Sequence, residues 1–149
     1  MARKSPGAIR AELRTLPYPD DPPSQDIARL SARTVAAIHR VEYHSRHYHL
    51  FPGVTASALR RYRAFLATGR GLLYPKSADC SCPGCSIDDV RHARDVLETV
   101  LEELRGRPRS ELRREVAALD RRYRDRTLPD FRAPLREHEL SGWWHHRLT

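Results

Sequence analysis

The sequence predicts an all-α fold: one small domain of four or five helices, with a cysteine-rich metal-binding turn before a C-terminal αα-hairpin. Three observations carry that prediction. Apolar residues recur three and four apart in several separate segments, which lays each set along one face of a helix. Pro and Gly punctuate the chain between those segments. All three cysteines fall within Cys80–Cys85, directly ahead of the strongest apolar stripe. A chain of 149 residues is the size of one domain and can bury a real core.

Residues 1–24 read as a docked arm. Ser5-Pro6 can open a short helix carrying Ile9, Leu13 and Leu16, and Pro17-Tyr18-Pro19-Asp20-Asp21-Pro22-Pro23 stops it in a stiff, extended linker. The helical domain then runs over 25–149. Ser24 or Asp26 caps a helix with Ile27, Leu30, Thr34, Ile38 and Val41 on one face. Phe51-Pro52-Gly53 breaks it, and Thr55 or Ser57 starts the next, through Leu59, Tyr62, Phe65 and Leu66 to Gly69 as a C′ glycine. These elements make up a basic half, residues 25–70. Gly71-Leu72-Leu73-Tyr74-Pro75 is a short bridge, too isolated to found a sheet.

Residues 86–126 form the hairpin. Ile87, Val90, Ala93, Leu97, Val100, Leu101 and Leu104 make the first stripe, which ends at Gly106. Arg107-Pro108-Arg109 turns the chain, and Ser110 caps a partner helix with Leu112, Val116, Leu119 and Tyr123. The tail, residues 127–149, carries Phe131, Leu135, Leu140, Trp143, Trp144 and Leu148, more apolar surface than a disordered tail holds. It is expected to fold back with Trp143 or Trp144 as an anchor. Its rival role is a protein-docking segment using those same tryptophans.

The cysteine turn, residues 79–92, is the strongest chemical signal. Cys82-Pro83-Gly84-Cys85 has the two-residue spacer that points both sulfurs at one centre, and Cys80 can reach the same ion from an extended backbone. Ser86 reads as the N-cap of the following helix, whose positive end favours thiolates. One structural zinc ion is the expected cofactor, held by Cys80, Cys82, Cys85 and His92. His44, His47 and His49 are alternative fourth ligands, and Asp79 is a poorer one. The rival readings are reduced buried thiols, a disulfide with a spare thiol, or an iron–sulfur cluster.

The formal charge of +8 rests almost wholly on arginine, since Lys4 and Lys76 are the only lysines. Residues 1–79 hold thirteen bases against six acids, while residues 80–149 hold fourteen against thirteen. The excess therefore precedes the cysteines and marks one anion-facing side. Arg40, Arg46, Arg60, Arg61, Arg63 and Arg70 are the candidate nucleic-acid or anion contacts, because guanidinium forks hold phosphate oxygens bidentately. The stretch Glu42-Tyr43-His44-Ser45-Arg46-His47-Tyr48-His49 can serve either metal ligation or that surface.

Several chemistries have no residues to carry them. The chain has no Gly-rich phosphate loop, no Gly-x-Ser-x-Gly elbow and no His-Glu-x-x-His. His138-Glu139 starts that last pattern, but Gly142 stands where the second histidine belongs. No catalytic residue is assigned. The functional expectation is a zinc-stabilised, non-catalytic binding module contacting nucleic acid or another polyanion. One alternative is a protein-interaction or assembly component, self-associating included, that uses the hairpin and the Trp tail. The other is a metal-dependent enzyme with a Cys/His site. With no transmembrane run and no signal peptide, the expected location is the cytoplasm, away from membranes.

Overall fold

In the computed structural model, which describes residues 26–76, 89–135 and 142–149, the first helix opens at Ser31. Ser31 is extended, and its hydroxyl accepts from the Thr34 N–H at 3.3 Å, satisfying one of the helix's orphan donors. α1 spans Ala32–His44. It starts later than Asp26 predicts because Arg29 takes a φ of 71°, a left-handed conformation that interrupts a helix. Ile27 is buried all the same, from a turn closed by Leu30 N–H on the Ile27 carbonyl at 3.1 Å. The N-terminal arm, Ser24, Cys80, Cys82, Cys85, Ser86 and His138 lie outside the described residues.

α2 spans Val54–Ala67, and its start is capped from another element. Gly53, at φ 85°, offers no side chain, so Glu42 of α1 accepts the Gly53 and Thr55 N–H groups, both at 2.8 Å. Glu42 is 2 % exposed, and the positive end of α2, with His39 Nδ1 at 3.3 Å from the carboxylate, makes its burial tolerable. The far end is closed as the sequence predicts, with Gly69 left-handed at φ 55°. Arg126 adds a second closure by donating to the carbonyls of Leu66 (2.6 Å), Thr68 (2.8 Å), Gly69 (3.0 Å) and Gly71 (2.7 Å).

α3 spans Val90–Glu103 and is capped by Asp89, whose carboxylate accepts the Arg91 N–H at 2.8 Å and clasps the Arg91 guanidinium. The helix thus begins beyond Ser86. α4 spans Gly106–Arg126, four residues ahead of the expected cap at Ser110. Pro108 falls in its first turn, where a missing N–H costs nothing, so Pro108 does not force the chain to turn there. The turn is made by Leu104 and Arg105 instead.

α3 packs chiefly on α2, and α4 chiefly on α1; the consecutive pair α3 and α4 share a smaller contact. Ile38, Leu59, Tyr62, Leu97, Val100 and Leu112, one to two from each helix, are all at 0 % exposure and meet in one core. Each such large apolar side chain contributes on the order of 1.5–3 kcal/mol by leaving water. Among the described residues there are four α-helices and no strand, and no helix is long and apolar enough to cross a membrane.

A buried polar cluster joins three of the helices to the tail. Arg94 clasps Asp120 through Nε–Oδ1 (2.9 Å) and a second nitrogen on Oδ2 (3.1 Å), and the Tyr62 hydroxyl donates to the same Oδ1 at 2.8 Å. Burial and then the neighbouring Asp120 push the Tyr62 phenol far above its usual pKa. Trp144 lies under the Arg94 guanidinium at 4.1 Å, and its indole N–H donates to Asp95 at 2.7 Å. The tail is tied down further by an isolated bridge between Pro129 and Arg147. Arg147 reaches the Arg124 carbonyl at 2.8 Å and the Thr127 hydroxyl at 2.7 Å, closing the end of α4.

Candidate functional site

On α3, His92, Asp95, Thr99 and Glu103 recur three, four and four residues apart, so their side chains share one face. The connection after α1 lays further imidazoles along that face. The Ser45 hydroxyl accepts the His47 N–H at 3.2 Å, the Leu50 N–H returns to the His47 carbonyl at 2.9 Å, and buried Leu50 anchors the loop. His49 Nε2 then meets the Thr99 hydroxyl at 3.1 Å, and His47 Nε2 sits 3.7 Å from the Glu103 carboxylate. The His49 ring centroid lies 6.4 Å from that of His92 and 5.5 Å from that of His47. Farther along the same face, His145 Nε2 bonds Asp95 at 2.7 Å.

The surroundings of His49 favour its neutral form. Burial lowers the pKa of His49, and the His47 and His92 rings lower it further, against an opposing pull from Asp95. A neutral imidazole keeps the lone pair that a metal takes up. His92, the first-choice fourth ligand, and the alternatives His49 and His47 are therefore neighbours in space. His44 is not part of the group; it ends α1, edge-on to Tyr43 at 5.2 Å, and faces a different cleft. Among the described residues no group of three or more His, Cys, Asp or Glu could hold a metal ion, so the histidines alone do not make a site.

The arginines divide into two kinds. Arg63 is engaged internally, with the Ala28 carbonyl at 3.3 Å and Glu115 at 3.5 Å. Arg60 bonds Ser57 one turn back at 3.0 Å, Arg61 lies beside Phe65 and Tyr74 in a shallow pocket, and Arg46 and Arg70 are exposed. Arg40 instead lines a cleft of about 590 Å³ with Arg33 and His44 of α1, Arg105 of the α3–α4 turn and Arg107 of the first turn of α4. Arg33 opens the arginine-rich stretch that the sequence marks, but Arg105 and Arg107 are not among the arginines singled out from it. Arg105 and Arg107 lie in the half where acids balance bases, so counting charge by halves passes over them.

Of the two candidate docking tryptophans, Trp144 is buried and Trp143 is half-buried beneath the Arg124 guanidinium at 3.8 Å. Gly142 is what lets the indole sit there, since a Cβ on it would lie 2.2 Å from the Trp144 ring. Comparison of the chain with protein families, curated proteins and solved structures finds no match.

Proposed function

We propose that the protein is a zinc-stabilised, non-catalytic binding module that contacts nucleic acid or another polyanion through its arginine-rich N-terminal half. Cys80, Cys82 and Cys85 hold the ion with His92, and His49 is the alternative fourth ligand. The observation that supports this most is the approach of His49 to His92, at 6.4 Å between ring centroids, in the first turn of the helix that follows the cysteines. Cys85 precedes Asp89 by four residues, and a tether that short reaches at most about 14 Å. Three thiolates and one imidazole are a closed donor set, which makes the ion structural rather than catalytic. The basic cleft supports the polyanion half of the reading.

Metal content of untagged protein, purified without added metal, tests the zinc claim. About one zinc per chain is expected, lost together with the fold in Cys80→Ser, Cys82→Ser and Cys85→Ser. His92→Asn should weaken zinc binding, and His49→Asn should do so instead if His49 is the ligand. A metal-free parent protein would overturn the claim. Polyanion binding should fall steeply with salt, and salt-insensitive association would remove that half of the reading.

A further inference from the structure

We propose that the cleft between α1 and the α3–α4 turn is the phosphate track of a single-stranded nucleic acid, whose bases stack on the exposed aromatic side chains at the end of α1 and in the loop that follows it. The proposal rests on the polyanion reading and narrows it to one place and one ligand class. Arg33, Arg40 and Arg107 line the cleft and make no hydrogen bond or ion pair with any described residue. Arg105, beside them, donates to the Glu102 and Leu104 carbonyls of its own turn. Glu103 is the one acid in the lining, and His47 stands 3.7 Å from it. The nearby carboxylate of Glu111 is taken by the Ser31 N–H (2.7 Å) and hydroxyl (2.8 Å) and by Thr34. Arg107 also acts on that carboxylate through space, so the cleft is a cationic concavity in which Arg33 and Arg40 are the charges with no acidic partner among the described residues.

The aromatic residues mark a strand rather than a duplex. Tyr48 is 82 % exposed and Phe51 53 %, both in the loop that leaves α1 at the cleft. Tyr43, 43 % exposed, stands edge-on to His44, which itself lines the cleft. Tyr48 also stands edge-on to His49 at 5.1 Å, and exposed rings on the loop that leaves an arginine-lined cleft combine the two elements of sequence-tolerant single-strand binding: charge for the backbone and flat faces for unpaired bases. A duplex keeps its bases stacked on each other and would gain nothing from Tyr48 or Phe51.

The test uses the full chain and an oligonucleotide of about a dozen nucleotides, as single-stranded DNA, single-stranded RNA and duplex, with heparin as a plain polyanion. The expected result is tighter binding of a single strand than of duplex. Tyr48→Ala and Phe51→Ala should each weaken single-strand binding about tenfold while leaving heparin unaffected. Arg40→Ala and Arg107→Ala should weaken every ligand and lower the single-strand salt slope by about 0.7 each. Arg121→Ala, an exposed arginine on α4, should change nothing. Duplex binding as tight as single-strand binding, aromatic variants without effect, or losses that follow Arg60 and Arg61 would each overturn the proposal and leave the broader reading standing. No salt-sensitive binding of any of these ligands would sink both.

Discussion

Two groups of arginine in this molecule have opposite fates. Arg94, Arg126 and Arg147, around the α3, α4 and tail junction, are fully engaged with the chain itself: a buried carboxylate in one case, helix-end carbonyls in the other two. Arg33, Arg40 and Arg107, around the α1 and α3–α4 corner, meet no such partner among the described residues. Both groups count equally toward the net charge, yet only the second is available to a ligand. The difference teaches that a basic composition says little until each guanidinium's partners are known. Planar forks suit both tasks, because the geometry that grips phosphate also grips a carboxylate or two adjacent carbonyls.

If the first group is structural, removing a partner there should cost the most. Asp120→Ala takes from Arg94, at 6 % exposure, its buried carboxylate partner, leaves it only the more exposed Glu98 at 2.8 Å, and strips the Tyr62 hydroxyl of its acceptor. Breaking a buried pair from one side costs on the order of 3–5 kcal/mol, and chemical denaturation should show a loss in that range. A loss below about 1 kcal/mol would mean that water or Glu98 takes over, and the contrast between the groups would weaken.

Arg126→Ala comes next. It deprives the carbonyls of Leu66, Thr68, Gly69 and Gly71 of a common donor at the end of α2. Several of those carbonyls can turn to water, so about 1–3 kcal/mol is the expected loss. Arg126→Lys should recover little of it, since an ammonium cannot span the same set of oxygens. Full recovery by lysine would show that charge near the helix end, rather than the fork, is what matters.

How far the sequence announced these roles varies with the physics behind each. The stripe Val90, Ala93, Leu97, Val100, Leu101 and Leu104 announced a helix, and all six are buried. Gly69 announced the end of α2 through its left-handed backbone. The stripes could not say that α3 would lie chiefly on α2 and α4 on α1, because an apolar face names no partner. At α1 and α2 a capping group lies far along the chain, which local sequence does not reveal. Glu42 caps α2 from α1, and Glu111 closes Ser31 from α4, eighty residues away. The approach of His49 to His92 has the same cause: forty-three positions apart in the sequence, the two meet only through packing.

Glu111 offers a pH test of such a long-range cap. Hydrogen bonds from Thr34 and then Ser31 hold its carboxyl below the ordinary value of 4.5. A carboxyl with a lowered folded pKa contributes stability that is complete above its unfolded value and is lost as pH falls through the folded one. Stability of the parent protein should therefore drop more steeply below about pH 4.5 than that of Glu111→Gln, by an amount smaller than the loss in Arg126→Ala because solvent screens the site. Parallel pH profiles would show that the cap is no stronger in its charged form.

The smallest expected effect separates the two groups most cleanly. Arg33→Ala, Arg40→Ala and Arg107→Ala remove guanidinium groups that make no hydrogen bond or ion pair within the described residues. Exposed substitutions of that kind usually stay within about ±0.5 kcal/mol. For Arg33 and Arg40 the sign should lean toward stabilisation, since they share one cleft with Arg105 and Arg107, whereas Arg107→Ala also removes a charge that acts on Glu111. The gain should shrink as salt is added, because screening relieves the same repulsion. A destabilisation of more than about 1 kcal/mol in any of the three would mean that its aliphatic stem packs into the fold, and that arginine would then belong with Arg126 and Arg94. A fold that is indifferent to these residues, or better off without them, has no use for their charge.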